Sequence, residues 1–421
     1  MSIATRILLA LVAGLLAGVV LAAVSPGAAL AAIPVAEPIG TAWLNALQMT
    51  IIPLVVSLLV TGIAATAEAV RAGAVAARAI ALILVVMASS AVVSAVLTPL
   101  LLDLFPIPAE SAAALRSALS NVAPAGPVPS LAQFFLSVVP SNAVAAAASS
   151  AYLSLIVFTV VFAFAVTRVE PENRARLTGF FVALRDAMLV MVQWIIWIAP
   201  IGVFALAFLV GARAGTTAFG ALVHYIVIVS SLGVVMGLLG YPLAAIGGRA
   251  PIGRFAARAA ASQAVALSTQ SSLATLPQML KGAEKLGVPV AHSGVILPLA
   301  VVMMRATGPA MNLAVAIYVG AWFGVPLTAA TLGAATVVAM LTSLGAVSLP
   351  GQVSFISSIA PVAATLGVPV APLGLLVAVE PIPDLFRTVG NVTVDLAATV
   401  AVSARSGPVP EAEADRMLAE G

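Results

Sequence analysis

The sequence predicts an all-α membrane protein that crosses the bilayer many times, and three observations support this. Hydrophobic residues make up 62% of the 421 residues and charged residues only 8%, whereas a soluble domain carries about 25% charged residues. Several apolar stretches reach the roughly 20 residues that a helix needs to cross the hydrocarbon core. The basic residues lie mainly in short connections on one predicted side of the membrane, which is the positive-inside pattern.

Eight long transmembrane helices are predicted from the apolar stretches. The first follows Arg6 and has the length of a signal peptide, but no small-residue cleavage site follows it, so we interpret it as a retained span. The predicted spans are about 7–30, 40–66, 79–104, 131–167, 187–211, 217–246, 293–322 and 372–402.

Two further apolar stretches, 259–280 and 330–368, contain helix breakers and many hydroxyl residues. Arg258 and Lys281 flank the first stretch, and both belong on the cytoplasmic side, so the chain must enter and leave on the same face. Backbone groups of such re-entrant hairpins need protein or water to satisfy them. Two hairpins that enter from opposite faces are typical of transporters with a site near the midplane.

This topology places both termini in the cytoplasm, with 403–421 as a polar cytoplasmic tail. The inside connections then carry Arg6, Arg71, Arg78, Arg168, Arg174, Arg176, Arg185, Arg249, Arg254, Arg258, Lys281, Lys285 and Arg405, and the outside connections carry Arg116 and Arg213.

The last predicted helix contains an unusual stripe of polar and charged residues. From Asp384, the positions of Arg387, Thr388, Asn391 and Asp395 lie 3, 4, 7 and 11 residues further on, so they share one helix face, which Glu380 extends. Ionisable groups inside a membrane usually mark a solute or ion path. An arginine fork holds a carboxylate, and an aspartate holds a cation or an ammonium group. The alternative is an internal ion-pair network that only ties helices together.

The hairpin tips and three isolated residues supply further candidates. Ser271 and Ser272 lie at the first tip, where free helix amides can bind a carboxylate, or where a serine merely caps a turn. Pro350 and Gly351 predict a turn at the second tip, either a gate or an ordinary loop.

Arg305 lies in the middle of a span and needs an acidic partner, for which Glu380, Asp384 and Asp395 are the candidates. His224 is either a titrating group or a satisfied interhelical histidine, and His292 is expected to be a solvated helix end.

At this point the sequence resembles the dicarboxylate/amino acid:cation symporter family, over essentially the whole chain. The matching segments are QMTIIPLVVSLLVTGIA, VPSNAVAAAASSAYLSLIVFTVVFAFA, APIGVFAL, SSLATLP and, most specifically, DLFRTVGNVTVD. The resemblance implies a homotrimer that works as an elevator, with a mobile transport domain on a static scaffold. The implied scaffold is mainly 1–258, with parts of helices 3 and 6 in the transport domain, and the implied transport core is 259–402.

The resemblance also implies roles for individual residues. Asp384 would meet a substrate amino group, Arg387 a side-chain carboxylate, and Thr388 and Asn391 would complete the substrate contacts. Asp395 would be a sodium ligand, with Asn391 contributing a backbone oxygen. Ser272 matches a hairpin serine that contacts the substrate, and Ser271 and Gly351 are added as neighbouring candidates.

The sequence departs from the family in its seventh helix, where an Asn-Met-Asp-Gly-Thr motif is replaced by Met304, Arg305, Ala306, Thr307 and Gly308. Methionine and alanine offer no side-chain oxygen to sodium, and a guanidinium repels a cation by about 4 kcal/mol at 4 Å and an effective dielectric of 20. We therefore expect Arg305 to replace bound sodium, beside Asp395, with coupling to protons or none. Gln270 stands where archaeal relatives have arginine, and Pro381 and Pro383 are expected to kink the last helix.

The leading hypothesis is a secondary transporter for an acidic amino acid or a C4-dicarboxylate in the cell membrane. Lipid and a homotrimer are its expected partners; a nucleic acid is not, and its only cofactor would be Na⁺ or H⁺ as the coupling ion. Pairing of Arg305 with Asp384 would favour a dianion without an amino group, and pairing with Asp395 would favour an amino acid. The alternatives are an uncoupled or proton-coupled carrier, an anion channel or a receptor of the same fold. No catalytic residues and no metal site are identified, so an enzyme is not expected.

Overall fold

The computed structural model describes residues 3–71, 73–110, 112–113, 136, 138–215, 217–345 and 351–406, and every regular element in these ranges is helical. The first half contains α1 (Ile3–Val24), α2 (Pro26–Arg71), α3 (Ala74–Leu104), α4 (Ala143–Ala148), α5 (Tyr152–Val166), α6 (Pro171–Trp197), α7 (Ala199–Ala214) and α8 (Thr217–Pro242). The second half contains a π-helical turn (Leu243–Gly247), α9 (Ile252–Thr269), α10 (Ser272–Lys285), α11 (Val290–Met303), α12 (Gly308–Phe323), α13 (Ala329–Gly345), α14 (Gly351–Thr365), α15 (Leu373–Leu376) and α16 (Pro381–Ser403).

The fold is that of a multi-pass membrane protein, as predicted. In the described part of the chain, 7 helical segments are long and apolar enough to cross a membrane. They are Thr5–Val24, Pro26–Glu68, Ala74–Leu104, Pro171–Trp197, Phe219–Gly247, Val290–Phe323 and Pro381–Ser403. The predicted number of eight spans stays a prediction, because four shorter apolar helices accompany these segments.

Two predicted single helices are each broken in the structure. The span predicted at 131–167 consists of α4 and α5, separated at Ser150, whose φ of 55° lies in the left-handed region; residues 131–135 lie outside the described ranges. The span predicted at 187–211 is divided at Ile198 between α6 and α7, where Pro200 occupies the first turn of α7. Proline is accepted there because the first-turn amides have no intrahelical partner. Hydropathy continues across both breaks and therefore did not indicate them.

Helix α6 also begins earlier than predicted. The residues predicted to form a connection before 187, among them Arg174, Arg176 and Arg185, belong to the N-terminal half of α6. Exposed ion pairs within this half join Arg176 to Glu172 at 2.6 Å and Arg185 to Asp186 at 2.8 Å.

The first predicted hairpin is present. Helices α9 and α10 pack against each other and are joined at Gln270 and Ser271. Gln270 has left-handed backbone angles (φ 51°, ψ 32°) that end α9, and Ser271 caps α10 by accepting a hydrogen bond from the Ala274 amide at 3.2 Å. Helices α13 and α14 form the second pair, but its predicted tip at Ser348 and Pro350 lies outside the described residues.

Two helices of the second half, α12 and α16, have proline in their first turn. The span predicted at 293–322 is interrupted between Met303 and Gly308, because Pro309 fits only in the first turn of α12. The last helix begins at Pro381 and not at 372. Pro381 and Pro383 therefore lie in its first turn, and the span predicted at 372–402 is interrupted before them, between Leu376 and Pro381.

Helix α16 occupies the centre of the second half, where it contacts α3, α8, α9, α10 and α11. Glycines of α8 allow this packing at close range. Gly233, Gly237 and Gly240 face Phe386, Gly390 and Thr393 of α16, and a Cβ atom at any of the three would lie 3.1 or 3.2 Å from the opposing atoms. Small residues at such crossings allow close approach of helices in membranes. In the first half, α1 packs against α7 in the same manner.

We predict that Gly390→Ala destabilises the protein by about 1–3 kcal/mol, the usual effect of overpacking. The new methyl carbon would lie 2.5 Å from Thr307 Cγ2 and 2.9 Å from the Gly233 carbonyl oxygen, and a backbone carbonyl cannot rotate away. The measurement is the midpoint of thermal unfolding in detergent. The control is Gly294→Ala, since a Cβ atom at this helical position meets nothing within 4 Å. Equal midpoints for the two variants would contradict the packing argument.

Candidate functional site

A cavity lies where the tip of the first hairpin, the break between α11 and α12, and the first half of α16 meet. Its empty volume, including the part that is open to solvent, is about 500 Å³. The lining residues are Gln270, Ser271, Ser272, Leu273, Val301, Met304, Arg305, Asp384, Arg387, Thr388 and Asn391. The structure therefore brings together residues from three separate parts of the chain.

The predicted stripe of α16 is divided between the cavity and the protein interior. Asp384, Arg387, Thr388 and Asn391 line the cavity, and each is 5–8% exposed. Asp395 is fully buried one turn beyond Asn391 and is not among the lining residues. Both of its carboxylate oxygens lack a hydrogen-bond partner among the described residues.

The guanidinium group of Arg387 is held by three side chains. It donates from Nη2 to Glu380 Oε1 at 2.9 Å and from Nη1 to Asn312 Oδ1 at 3.1 Å, and its Nε lies 3.4 Å from Asp384 Oδ1. The ion-pair network considered as an alternative is thus present. An arginine has five N–H donors in a fork, however, and these three contacts engage one on each nitrogen. Two of its donors make none of these contacts, and Arg387 lines the cavity.

The hairpin tip supplies hydroxyl groups and helix amides to the same cavity. Ser271 both caps α10 and lines the cavity, so the capping role and the predicted contact role are compatible. Ser272 begins α10, a helix of 14 residues, and the unpaired amides of such a helix start favour anions. Gln270 bridges the tip to α16 through a weak contact of 3.5 Å with the Pro381 carbonyl oxygen.

Arg305 is partly exposed and lines the cavity beside Asp384. It shares the cavity lining with Asp384 and Arg387, whereas neither carboxylate oxygen of Asp395 has a hydrogen-bond partner among the described residues. The expected position of Arg305 beside Asp395 is therefore wrong. Arg305 lies in the break between α11 and α12 and lines the cavity, whereas Asp395 lies one turn beyond Asn391 on α16 and outside the lining.

Thr307 is a site residue that the sequence did not single out for contacts. Its backbone amide and its hydroxyl group both donate to Asn391 Oδ1 at 2.9 Å, and the hydroxyl also lies 3.1 Å from the Arg387 carbonyl oxygen. The side-chain oxygen of Asn391 is therefore already used by two donors of the chain. Only the break in the helix brings Thr307 to this place, so no sequence periodicity indicates it.

Two serines of α3 complete the interrupted backbone of α12. Ser90 accepts a hydrogen bond from the Ala310 amide at 3.1 Å, and Ser94 donates to the Ala310 carbonyl oxygen at 2.7 Å. Both serines are fully buried. Non-helical backbone inside a membrane persists only with such partners, so these serines allow the broken helix to exist.

The two histidines are both bonded within the bundle. His224 connects the Tyr318 hydroxyl (Nδ1, 3.0 Å) and the Phe105 carbonyl oxygen (Nε2, 3.0 Å), as an interhelical histidine does. His292 is 2% exposed and lies 2.8 Å from the Ser403 hydroxyl. The expectation that His292 is solvated is wrong, because α11 packs its first turn against the end of α16.

The contact predicted for Gly351 stays a prediction. Gly351 is the first residue of α14, and it follows residues that lie outside the described ranges.

A family model described as the sodium:dicarboxylate symporter family matches residues 3–405 of the chain. A proton/sodium-glutamate symport protein of Bacillus subtilis is 28% identical over 299 residues, which are 69% of this chain and 67% of that protein. A proton/glutamate-aspartate symporter of Escherichia coli is 27% identical over 286 residues, 64% of this chain and 61% of that protein. C4-dicarboxylate transport protein 1 of Ralstonia nicotianae is 28% identical over 288 residues, 65% of this chain and 64% of that protein.

We predict that Thr307→Val destabilises the protein by about 1 kcal/mol, because the isosteric change removes a buried hydroxyl that bonds to α16. Thermal unfolding in detergent measures the effect. The control is Thr336→Val, since Thr336 donates only to the Leu332 carbonyl of its own helix at 2.7 Å. The assigned role of Thr307 is untenable if its variant unfolds at the same temperature as the control.

Proposed function

The chain belongs to the sodium:dicarboxylate symporter family, and we propose that it is a secondary active transporter that moves an acidic amino acid or a C4-dicarboxylate across the cell membrane. The Bacillus subtilis relative is a glutamate symport protein and the Ralstonia nicotianae relative a C4-dicarboxylate transport protein. Proteins of this kind move solutes and are not enzymes.

The observation that carries the proposal is the position of Arg387 at the wall of a cavity inside an apolar helix bundle. The guanidinium is buried, is bonded to Glu380 and Asn312, which do not line the cavity, and has two donors that these bonds and the Asp384 contact do not use. A planar fork of this kind binds a carboxylate with two parallel hydrogen bonds. The Ser271 hydroxyl and the start of α10 lie across the same cavity and suit a second carboxylate.

The charges favour a dicarboxylate over an amino acid. Asp384 is the residue that would hold an ammonium group, but both Arg305 and Arg387 act on its carboxylate. Two arginines then face the solute with one aspartate between them. A solute with two carboxylates and no ammonium group matches this set, as in the Ralstonia relative, a C4-dicarboxylate transport protein.

The coupling ion follows from the residues at the helix break. Met304 and Ala306 offer no side-chain oxygen, and Asn391 Oδ1 already accepts two donors from Thr307. Arg305 adds a fixed positive charge at the cavity. We infer that this charge substitutes for bound sodium, so that transport proceeds with protons as the coupling ion or without coupling.

The assembly and the motion are proposed by analogy with the family. The scaffold would be formed mainly by 1–258 and the transport core by 259–402, as a homotrimer surrounded by lipid, with both termini in the cytoplasm. In support, α16 packs against α3 and α8, whereas α1 packs against α2 and α7. An elevator movement of α16 with its partners would then carry the cavity across the membrane.

Arg387→Ala is expected to weaken the binding of acidic solutes at least about a hundredfold, because a charge-assisted bidentate contact contributes about 3 kcal/mol. The measurement is a calorimetric screen of the purified protein against aspartate, glutamate, succinate, fumarate and malate, with and without sodium. The control is Arg213→Ala, which breaks an ion pair with Glu37 of 3.1 Å far from the cavity. Unchanged affinity in Arg387→Ala would contradict the assigned role.

Uptake into liposomes that contain the purified protein is expected to be the same with and without an inward sodium gradient. The physical reason is the loss of oxygen ligands at positions 304 and 306 and the presence of Arg305. Transport that requires sodium would defeat this proposal. The matched variant Arg305→Met removes the fixed charge, and we expect its uptake to fall at least about tenfold, since one uncompensated charge contributes more than 1.4 kcal/mol.

A further inference from the structure

Glu380 is a buried carboxylate that solute binding does not by itself require. It is 1% exposed and lies behind Arg387, outside the set of residues that line the cavity. Its Oε1 accepts a hydrogen bond from Arg387 at 2.9 Å, while its Oε2 has no hydrogen-bond partner among the described residues. The hydroxyl group of Tyr225, which is within electrostatic range of Glu380, is also buried and lacks a hydrogen-bond partner there. A carboxylate with one unpaired buried oxygen is costly to keep ionised.

Glu380 and a solute carboxylate compete for the same guanidinium. With Glu380 ionised, the charge of Arg387 is already balanced inside the protein, and a solute adds an uncompensated negative charge. With Glu380 protonated, the carboxyl group is neutral and Arg387 needs a new anion. Because a buried unpaired charge is strongly unfavourable, a proton on Glu380 and an anion in the cavity stabilise each other.

We propose that Glu380 is a proton-binding site that couples proton uptake to solute binding. Arg387 pairs with Glu380 when that carboxylate is ionised, and with a solute carboxylate when Glu380 is protonated. This inference rests on the proposed function, since it concerns the same cavity. One proton from water adds to the Glu380 carboxylate, the ion pair with Arg387 opens, and the solute carboxylate takes its place. A proton on Glu380 alone, or a solute carboxylate on Arg387 alone, leaves the partner of Arg387 unbalanced, so the binding of each favours the binding of the other.

The surrounding charges support Glu380 and not its neighbour as this site. The groups that act on Glu380 are Arg387 and Asp384 of α16, Arg305 at the helix break, and Tyr225 of α8. Asp384 adjoins two guanidinium groups and lines the cavity, so its negative charge is balanced in both states. Glu380 has its closest cation in Arg387, the group that a bound solute would engage.

Two tyrosines and a histidine lie between the surroundings of Glu380 and the end of α3. The rings of Tyr225 and Tyr318 meet edge to face at 5.3 Å, and the Tyr318 hydroxyl contacts His224 at 3.0 Å. The Tyr318 hydroxyl donates to the Ala221 carbonyl at 3.1 Å, and the Phe105 carbonyl accepts from His224. His224 and Tyr318 therefore form a hydrogen-bonded pair, and the Tyr225 hydroxyl, which has no hydrogen-bond partner among the described residues, does not connect this pair to Glu380.

The test compares the pH dependence of solute affinity in wild type and Glu380→Gln. Fumarate is the probe, because both of its carboxyl groups stay ionised between about pH 5.5 and about pH 8. Uptake of one proton on binding makes the affinity of the wild type rise by up to about tenfold for each pH unit of acidification. We expect Glu380→Gln to bind fumarate with one affinity throughout this range. The control Glu37→Gln, which alters the ion pair with Arg213, should keep the slope of the wild type.

A wild-type slope in Glu380→Gln would overturn the proposal, and so would a wild-type affinity that does not change with pH. A second readout needs no solute. Infrared difference spectra between about pH 5.5 and about pH 8 should contain a protonated-carboxyl band in wild type and in Asp384→Asn. This band should be absent from Glu380→Gln. Loss of the band in Asp384→Asn with its retention in Glu380→Gln would assign the proton to Asp384. Failure of the proposed function would differ from each of these results, because the wild type would then show the band but bind none of the acidic solutes.

Discussion

The Arg387 guanidinium must keep its charge balanced inside a bundle that is almost entirely apolar, and the rest of the site depends on this constraint. Arginine does not lose its proton in proteins, so the structure supplies Glu380, Asp384 and Asn312 around it. An arrangement that only stabilised the bundle would be better replaced by apolar side chains. In the proposed function, the adjoining cavity accounts for the buried charge, because an anion that enters it can help to balance the charge of Arg387.

Irregular backbone is what makes such a cavity possible among helices. A continuous helix would cover the α16 stripe with side chains, whereas the break before Gly308 and the tip at Ser271 bring backbone donors and short side chains to it. Each exposed backbone group then needs a partner. Ser90, Ser94 and Thr307 provide these partners from α3 and from the break itself. The glycines of α8 in turn hold α16 near enough for these bonds to form.

The position of Arg305 links the architecture to the choice of solute and ion. In the function proposed above, a second guanidinium at the cavity would partly offset the charge of Asp384 and favour a solute with two carboxylates. The same charge, with Thr307 bonded to Asn391, would take the place of an oxygen-ligated cation. Preference for a dianion and independence from sodium would then be two consequences of one altered segment, Met304 to Gly308.

The sequence by itself predicted the membrane class, the helix pair of the first hairpin and the residues of α16 that share one face. These features depend on hydropathy, on the positions of Arg and Lys, and on 3.6-residue periodicity, all of which are local properties of the chain. Only the tertiary structure decided that Arg305 lines the cavity with Asp384, that Asp395 lies outside it, that Thr307 bonds to Asn391 and that His292 is buried. It also located the breaks at Ser150, Ile198 and Met304, which the sequence had placed inside single spans. Side chains four residues apart on one helix have a fixed spatial relation. Which residues of two different helices become partners depends instead on how the broken helices pack in space.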